Sequence, residues 1–367
     1  MRALRLSTWA AILAAAALAL AGAAWKHRGR ARHLAIPVLA DPSLAPQPGV
    51  ELSEHAGCIA SEVARVGARV TALLEDREGQ LWIGTFDAGL FRAGAEELSP
   101  VGGLRGRERF VNGLAEHDGL LWAATQGGLL ALDGDRRVAT LLAGEGVTAL
   151  AVARGLLYAG TARGLFRISI SEGAEAEDAA GPSGEPLRVT ALAASATRLW
   201  IGTSSGAYSL PLATAAAPLL ARTARWQPLV FGEPAAETNV VTALAPIAGG
   251  AVAGTDDGGV VRLGDDGAVS ALRFVDARAN EVNPGAAAAA WSGGVAVGTQ
   301  GGGLLIARPN GTLLTAARAG AIGRAEVSAV GAAGERLLVA TAGGVVTALR
   351  CTPDASAGSS PGVAPAS

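Results

Sequence analysis

Between Gln80 and Arg92 the chain reads QLWIGTFDAGLFR. A short apolar run gives way to a polar, glycine-bearing break, and a second short apolar run follows. Runs of this length, rich in β-branched and aromatic residues and bounded by Gly and Asp, predict two strands joined by a tight turn. The pattern then returns along the chain. Aligned on the threonine of WIGT, copies fall at Thr85, Thr125, Thr161, Thr203, Thr255, Thr299 and Thr341, at intervals of 40, 36, 42, 52, 44 and 42 residues. Three residues before each threonine stand Trp82, Trp122, Tyr158, Trp200, Val252, Ala296 and Leu338, and the residue just before it is always Gly or Ala. A second marker lies upstream, usually by 14 residues. It reads VTAL at Val70, VNGL at Val111, VTAL at Val147, Val189 and Val241, and VSAV at Val327, with a degenerate VNPG at Val282 in the sixth copy.

Each copy parses into four short strands, such as VTALLED (A), LWIGT (B) and GLFRA (C) in the first and RVATLL (D) in the second. A four-stranded unit of roughly 40–45 residues, repeated in tandem, predicts an all-β fold: a seven-bladed β-propeller of four-stranded antiparallel blades. A single blade cannot bury both of its apolar faces, so neighbouring blades must cover them, at about 25 cal/mol per Å² of apolar area. The residue at the Trp82 position is expected to fill the wedge between blades, which leaves blade six, with Ala296, the weakest.

A ring must also hide its two ends, or it presents unpaired strand edges. The last copy supplies A, B and C strands and no D, while GCIASEVARV (57–66) is spare ahead of copy one. That segment is predicted to cross over as the outer strand of the last blade, giving a propeller over residues 57–351. The two cysteines, Cys58 and Cys351, then stand on neighbouring strands. Antiparallel neighbours bring Cα atoms to about 5.5 Å, within disulfide reach. The expectation is a clasp that needs an oxidising compartment; two unrelated buried thiols are the alternative.

The flanks read differently. After a basic start, Trp9 to Ala24 is an uninterrupted weakly apolar run, and KHRGRAR follows at 26–32. Residues 1–33 are expected to be a signal peptide or an apolar membrane-anchoring helix with a basic flank. The protein is then exported, either periplasmic or held in the inner membrane by residues 9–24. The basic flank resists translocation, so orientation stays open. Residues 34–56 are a Pro-containing linker, and 352–367 reads as a disordered tail. Residues 1–33 hold six of the 30 basic residues and no acid, leaving 24 basic against 32 acidic residues in the rest. An acidic body argues against a nucleic-acid partner.

Copies one to four, above all LWIGTFDAGLFR and RLWIGTSSGAY, resemble the two-component regulator propeller repeat, V-x-A-I … G-x-L-W-I-G-T … G-G-L. The resemblance covers about residues 66–350, and copies five to seven lack the aromatic. It implies the extracytoplasmic sensing part of a membrane histidine kinase, a part often built of two consecutive seven-bladed propellers. Here one such ring is followed by no kinase, phosphoacceptor or DNA-binding segment, so a detached sensor module acting with a separate signalling protein is expected.

Candidate chemistry is sparse. The histidines are His27, His33, His55 and His117, and only His117 lies in a repeat, where EHDG reads as a solvent-facing A–B turn. No His/Cys cluster has metal-ligand spacing and no phosphate-cradling loop occurs, so neither a metal nor a cofactor is expected. GTSSG at 202–206 falls in a B–C turn by register and is not a nucleophile loop. The residue after each A-strand valine is a small hydrogen-bonding one: Thr71, Asn112, Thr148, Thr190, Thr242, Asn283 and Ser328. With the B–C turn residues Asp87, Gln126, Arg163, Asp256, Asp257 and Gln300, these form a candidate ligand-binding mouth. Satisfying neighbouring backbone groups is the other use for that ring. The function expected is non-catalytic binding of a small polar ligand or a protein partner. A lyase or hydrolase at the channel mouth and a structural envelope scaffold are the alternatives.

Overall fold

Short β-branched runs broken every few residues by Gly or Asp favour strands and turns, and the chain folds into antiparallel sheets accordingly. The computed structural model describes residues 50–51, 58–94, 97–168, 187–212, 227–229, 240–256, 260–272, 274–275, 284–291, 294–310, 313–318 and 322–351. The chain divides into two compact units, Met1–Gln47 and Pro48–Ser367, and every described residue belongs to the second.

Sheet 1 comprises A Val70–Glu75, B Leu81–Thr85, C Leu90–Ala93 and D Leu98–Pro100. Sheet 2 comprises Val111–His117, Leu120–Thr125, Gly128–Asp133 and Arg136–Leu141. Sheet 3 shows Val147–Ala153, Leu156–Thr161 and Gly164–Ile168, and the chain after its C strand lies outside the described residues. Sheet 4 is Val189–Ala194, Arg198–Thr203, Gly206–Pro211 and Gln227–Leu229; sheet 5 is Val241–Ile247, Gly250–Thr255, Val260–Gly264 and Val269–Leu272. Sheet 6 is Pro284–Trp291, Gly294–Thr299, Leu304–Asn310 and Leu313–Arg318. Sheet 7 takes Val327–Ala333, Arg336–Thr341 and Val345–Cys351 from the end of the chain, and its outer strand, Cys58–Arg65, from before sheet 1. The A strands pack against one another in cyclic order, and the A strand of sheet 7 returns against that of sheet 1.

The wedge positions do what their chemistry predicts. Trp82 is buried against Val111, Leu121 and Leu132 of sheet 2, Trp122 against Val147, Leu157 and Phe166 of sheet 3, and Trp200 against Val241, Leu244 and Val261 of sheet 5. Leu338 closes the cycle against Val70, Leu73 and Ile83 of sheet 1. Around Ala296 the bulk comes from neighbours instead: Leu304, Ile306, Leu337 and Leu349 share its cluster.

Two backbone devices set the sheet-to-sheet distance. A Cβ on Gly84 would lie 2.6 Å from Val111 Cγ1, and one on Gly202 would lie 2.5 Å from Val241 Cγ1. The glycine before the motif threonine at Gly84, Gly160, Gly202 and Gly298 is therefore the seat for the first A-strand valine of the next sheet. Ala124 and Ala340 fill the same position and share buried clusters with Val147 and Val70. Gly202→Ala is expected to cost about 1–3 kcal/mol, the usual range for overpacking a fitted contact, measured by denaturant unfolding; Ala124→Gly should cost less than that.

The second device is a register irregularity after the first residue of the A strand. Val70 pairs with Thr85 and Ala72 with Gly84, so Thr71 has no partner of its own; the same one-residue shift occurs in sheets 2, 3, 4, 5 and 7, and sheet 6 skips two residues between Pro284 and Ala287. A bulge of this kind bends the strand and re-aims one side chain. In sheet 6 Pro284, not Val282, pairs with the motif threonine, which corrects the register read from the degenerate marker.

The closure of the ring follows the sequence expectation. Cys58–Arg65 pairs antiparallel with Val345–Cys351, and the Cys58–Cys351 disulfide joins positions 293 residues apart. Ion pairs Arg69–Glu326 at 2.8 Å and Arg336–Glu75 at 2.6 Å tie sheet 7 to sheet 1 beside it. Within the span read as a linker, Val50–Glu51 instead forms a short strand parallel to Phe274–Val275. The apolar run 9–24, its basic flank, His27, His33, His55 and the tail lie outside the described residues. Among the described residues no helix is long and apolar enough to cross a membrane.

Candidate functional site

The A-strand starts and B–C turns meet on one face because backbone bonds join them. The N–H of the residue after the motif threonine donates to the carbonyl just before the A strand: Phe86 to Arg69, Gln126 to Phe110, Asp256 to Val240 and Ala342 to Glu326. The motif threonine holds each turn in shape. Thr85 Oγ1 donates to Gly89 O at 2.7 Å and accepts from Ala88 N, and Thr125, Thr161 and Thr203 repeat the arrangement. These threonines are buried, so the hydroxyl is matched internally rather than offered to a ligand.

The bulged A-strand residues form a belt between sheets. Thr71 Oγ1 donates to Val111 O at 2.5 Å, Asn112 Nδ2 to Val147 O at 2.7 Å, Thr148 Oγ1 to Val189 O at 2.9 Å and Thr190 Oγ1 to Val241 O at 2.6 Å. Each acceptor is the carbonyl of the valine that packs on the small residue before a motif threonine (Gly84, Ala124, Gly160 and Gly202), so one residue is registered twice. Thr242 and Ser328 donate within their own sheets, to Gly254 O and Ala340 O. The hydroxyls keep acceptor capacity toward a ligand; their donor hydrogens are taken. Asn283 lies outside the described residues.

Of the turn residues, Asp87, Asp256 and Gln300 are exposed at separate sheets, and Asp257 lies outside the described residues. Arg163 pairs with Glu145 at 2.5 Å. Gln126 adjoins Gly127, which lines a cleft of about 550 Å³ with Gly103, Arg105, Arg107, Glu108, Arg137 and Gly144. That cleft lies where the link from sheet 1 to sheet 2 passes the B–C turn of sheet 2. None of its charged residues was expected from the sequence, although the alternation RGRER at 105–109 is visible there.

Glu108 organises the cleft. Its Oε1 accepts from Arg137 Nη1 at 2.8 Å and its Oε2 from Nη2 at 2.7 Å, while the Arg105 backbone N–H adds a third bond at 3.0 Å. Arg137 also donates to Gly103 O, fixing the link. The Arg137 guanidinium, with the Arg105 amide, holds the Glu108 carboxyl below the ordinary glutamate range against the opposing effect of burial. A depressed folded-state pKa means this contribution is present above the unfolded pKa and is lost as pH falls through the folded one. Arg137→Ala is expected to raise the Glu108 titration midpoint, read by carboxyl NMR, and to shift acid unfolding of this link to higher pH.

His117 corrects a sequence expectation. It ends the A strand of sheet 2 rather than standing in a solvent-facing turn, and it is buried, 3.3 Å from Asp118 and with its carbonyl accepting from Trp122 Nε1. Among the described residues no group of three His, Cys, Asp or Glu side chains is placed to hold a metal ion.

Residues 66–87 match the family described as two component regulator propeller. No curated sequence relative matches the chain significantly. Among solved structures, the extracellular domain assigned to the hybrid two component system BT4673 of B. thetaiotaomicron is similar at 15% identity and TM-score 0.60, over 79% of this chain and 39% of that one. A catalytically inactive virginiamycin B lyase from Staphylococcus aureus, solved with quinupristin, is similar at 12% identity and TM-score 0.60, over 80% of this chain and 100% of that one. The computationally designed protein Ika8 is similar at 17% identity and TM-score 0.51, over 78% of this chain and 98% of that one. This chain thus spans about two fifths of the B. thetaiotaomicron domain. At these identities the likeness is one of fold.

Proposed function

From a chain that carries the two component regulator propeller repeat, we propose a non-catalytic sensor module that binds a partner protein or a small polar ligand outside the cytoplasm. Its seven sheets are the blades of a single propeller, and residues 9–24 export or anchor it. The observation that carries this reading is the combination of the family repeat at 66–87 with a fold shared with the extracellular part of a two component system. The Cys58–Cys351 disulfide supports the compartment, since such bonds persist in oxidising surroundings. The bonding on the A-start face supports rigidity: threonine-stapled turns and a sheet-to-sheet belt hold a varied rim of side chains in place, the condition for selective binding at low entropic cost.

The test is capture in the native host. The full chain with a C-terminal tag is cross-linked in intact cells, and co-purifying proteins are identified against an untagged control. Recovery of an envelope signalling protein is the expected result. Recovery of nothing above the control, together with turnover of a small molecule by the purified chain, would replace the sensor with a channel-mouth enzyme.

A further inference from the structure

Taking as its premise the reading of the disc as a binding module, we propose that the cleft at Arg105 and Arg107 docks an acidic peptide segment of the partner. Outside residues 1–33 the chain has more acids than bases, yet Arg105, Arg107 and Arg109 fall within one turn, the 3₁₀ segment Gly106–Arg109 and the residue before it. All three are exposed, and none makes an ion pair among the described residues. The carboxylate inside the turn is committed mainly elsewhere: Glu108 is engaged bidentately by Arg137 and takes a backbone N–H as well, and its charge interaction with Arg105 is the weakest of its contacts. That arrangement holds the turn, while Arg105 and Arg107 line the cleft and neither makes an ion pair among the described residues. Guanidinium is suited to such a site, since its fork accepts a carboxylate through two parallel hydrogen bonds.

The walls suit a peptide rather than a lone anion. Gly103 and Gly144 present bare backbone, with nothing within 4 Å of where a Cβ would stand. Phe110 caps the arginine-bearing turn, and Phe86, 56% exposed, meets it edge to face at 5.5 Å between ring centroids. An extended acidic segment places carboxylates on Arg105 and Arg107 and an apolar side chain on Phe86. A free phosphate would use the arginines and ignore the ring.

The full chain is titrated with a short fluorescein-labelled peptide of alternating glutamate and alanine carrying one phenylalanine, read by anisotropy at low and physiological salt. The expected result is saturable binding that weakens with salt, falls about tenfold or more in Arg105→Glu/Arg107→Glu, and falls a few-fold in Phe86→Ala. Arg350→Glu, a single reversal of the same kind placed in the Val345–Cys351 strand of sheet 7, leaves it unchanged. If the double glutamate variant does not melt as the parent does, Arg105→Gln/Arg107→Gln is read in its place, with the same direction expected. Absence of binding, equal binding by a correctly folded double variant, or displacement by inorganic phosphate beyond the effect of matched sodium chloride would each overturn the proposal. Repeating the in-cell capture with the double variant separates the two readings. Capture that persists refutes the cleft and leaves the sensor standing, whereas a wild-type chain that captures nothing refutes the sensor whatever the peptide does.

Discussion

The Cys58→Ser/Cys351→Ser variant is expected to lose on the order of 3–5 kcal/mol of stability and to melt about 10 °C below the parent. The bond closes a loop spanning nearly the whole ring, since its cysteines are 293 residues apart. The unfolded chain without it gains the entropy of that open loop. The native state loses more than the bond, because the outer strand Cys58–Arg65 is held by pairing to Val345–Cys351 and offers little apolar burial of its own: Ile59 is 77% exposed. Opening should therefore begin there. Limited proteolysis is expected to cut the variant within 58–65 before any other described strand, and differential scanning calorimetry gives the loss. A variant that melts with the parent would show that the ion pairs and apolar contacts between sheets 7 and 1 close the ring unaided.

Trp200→Ala is expected to destabilise by about 3–5 kcal/mol, the range for truncating a fully buried tryptophan. Its side chain is wholly buried and supplies the bulk between sheets 4 and 5, where the opposing residues are valine, leucine and alanine that cannot extend into the void. The contrast with a milder change sharpens the test. Trp200 Nε1 is buried without a hydrogen-bond partner among the described residues, whereas Trp82 Nε1 donates to Asp76 Oδ2 at 2.7 Å. Trp200→Phe gives up volume alone and should cost below about 1.5 kcal/mol. Trp82→Phe also takes the indole N–H from Asp76 Oδ2, leaving the carboxylate only the Glu78 and Gln80 N–H groups on Oδ1, and should cost more. Urea unfolding of the three variants orders them; equal losses for the two phenylalanine substitutions would show that the Trp82–Asp76 hydrogen bond contributes nothing.

Much of this architecture was legible because it is repeated. Seven recurrences of the wedge residue, the small seat and the threonine fix strand order, and the spare segment at Cys58 reveals where the ring joins. The role of the A-strand ring was less legible. Thr71, Asn112, Thr148 and Thr190 read equally as ligand groups or backbone partners, and only the bulge decides where their hydrogens go. A bulge is a register property and leaves no mark in composition. The same limit misplaced the sixth copy, where Pro284 rather than Val282 faces Thr299. His117 looks solvent-facing because EHDG is a turn sequence, yet it is the last residue of the A strand, is buried, and its carbonyl accepts from Trp122 Nε1 of the adjoining strand. The arginine cleft was invisible for a different reason: Arg137 and Glu108 meet only because a D strand and an inter-sheet link are folded side by side.

A disulfide-clasped sensor outside the cytoplasm requires Cys58 and Cys351 to be paired in the cell, and thiol trapping in the native host tests that directly. Cells are quenched in acid, free thiols are blocked with a mass-tagging maleimide, and the full chain is examined on a gel. The predicted result is a chain without mass tags that gains two only after reduction, matching a fully formed Cys58–Cys351 bond. A chain that carries two tags before any reduction would contradict the account, placing the protein in a reducing compartment and removing the clasp from its working state.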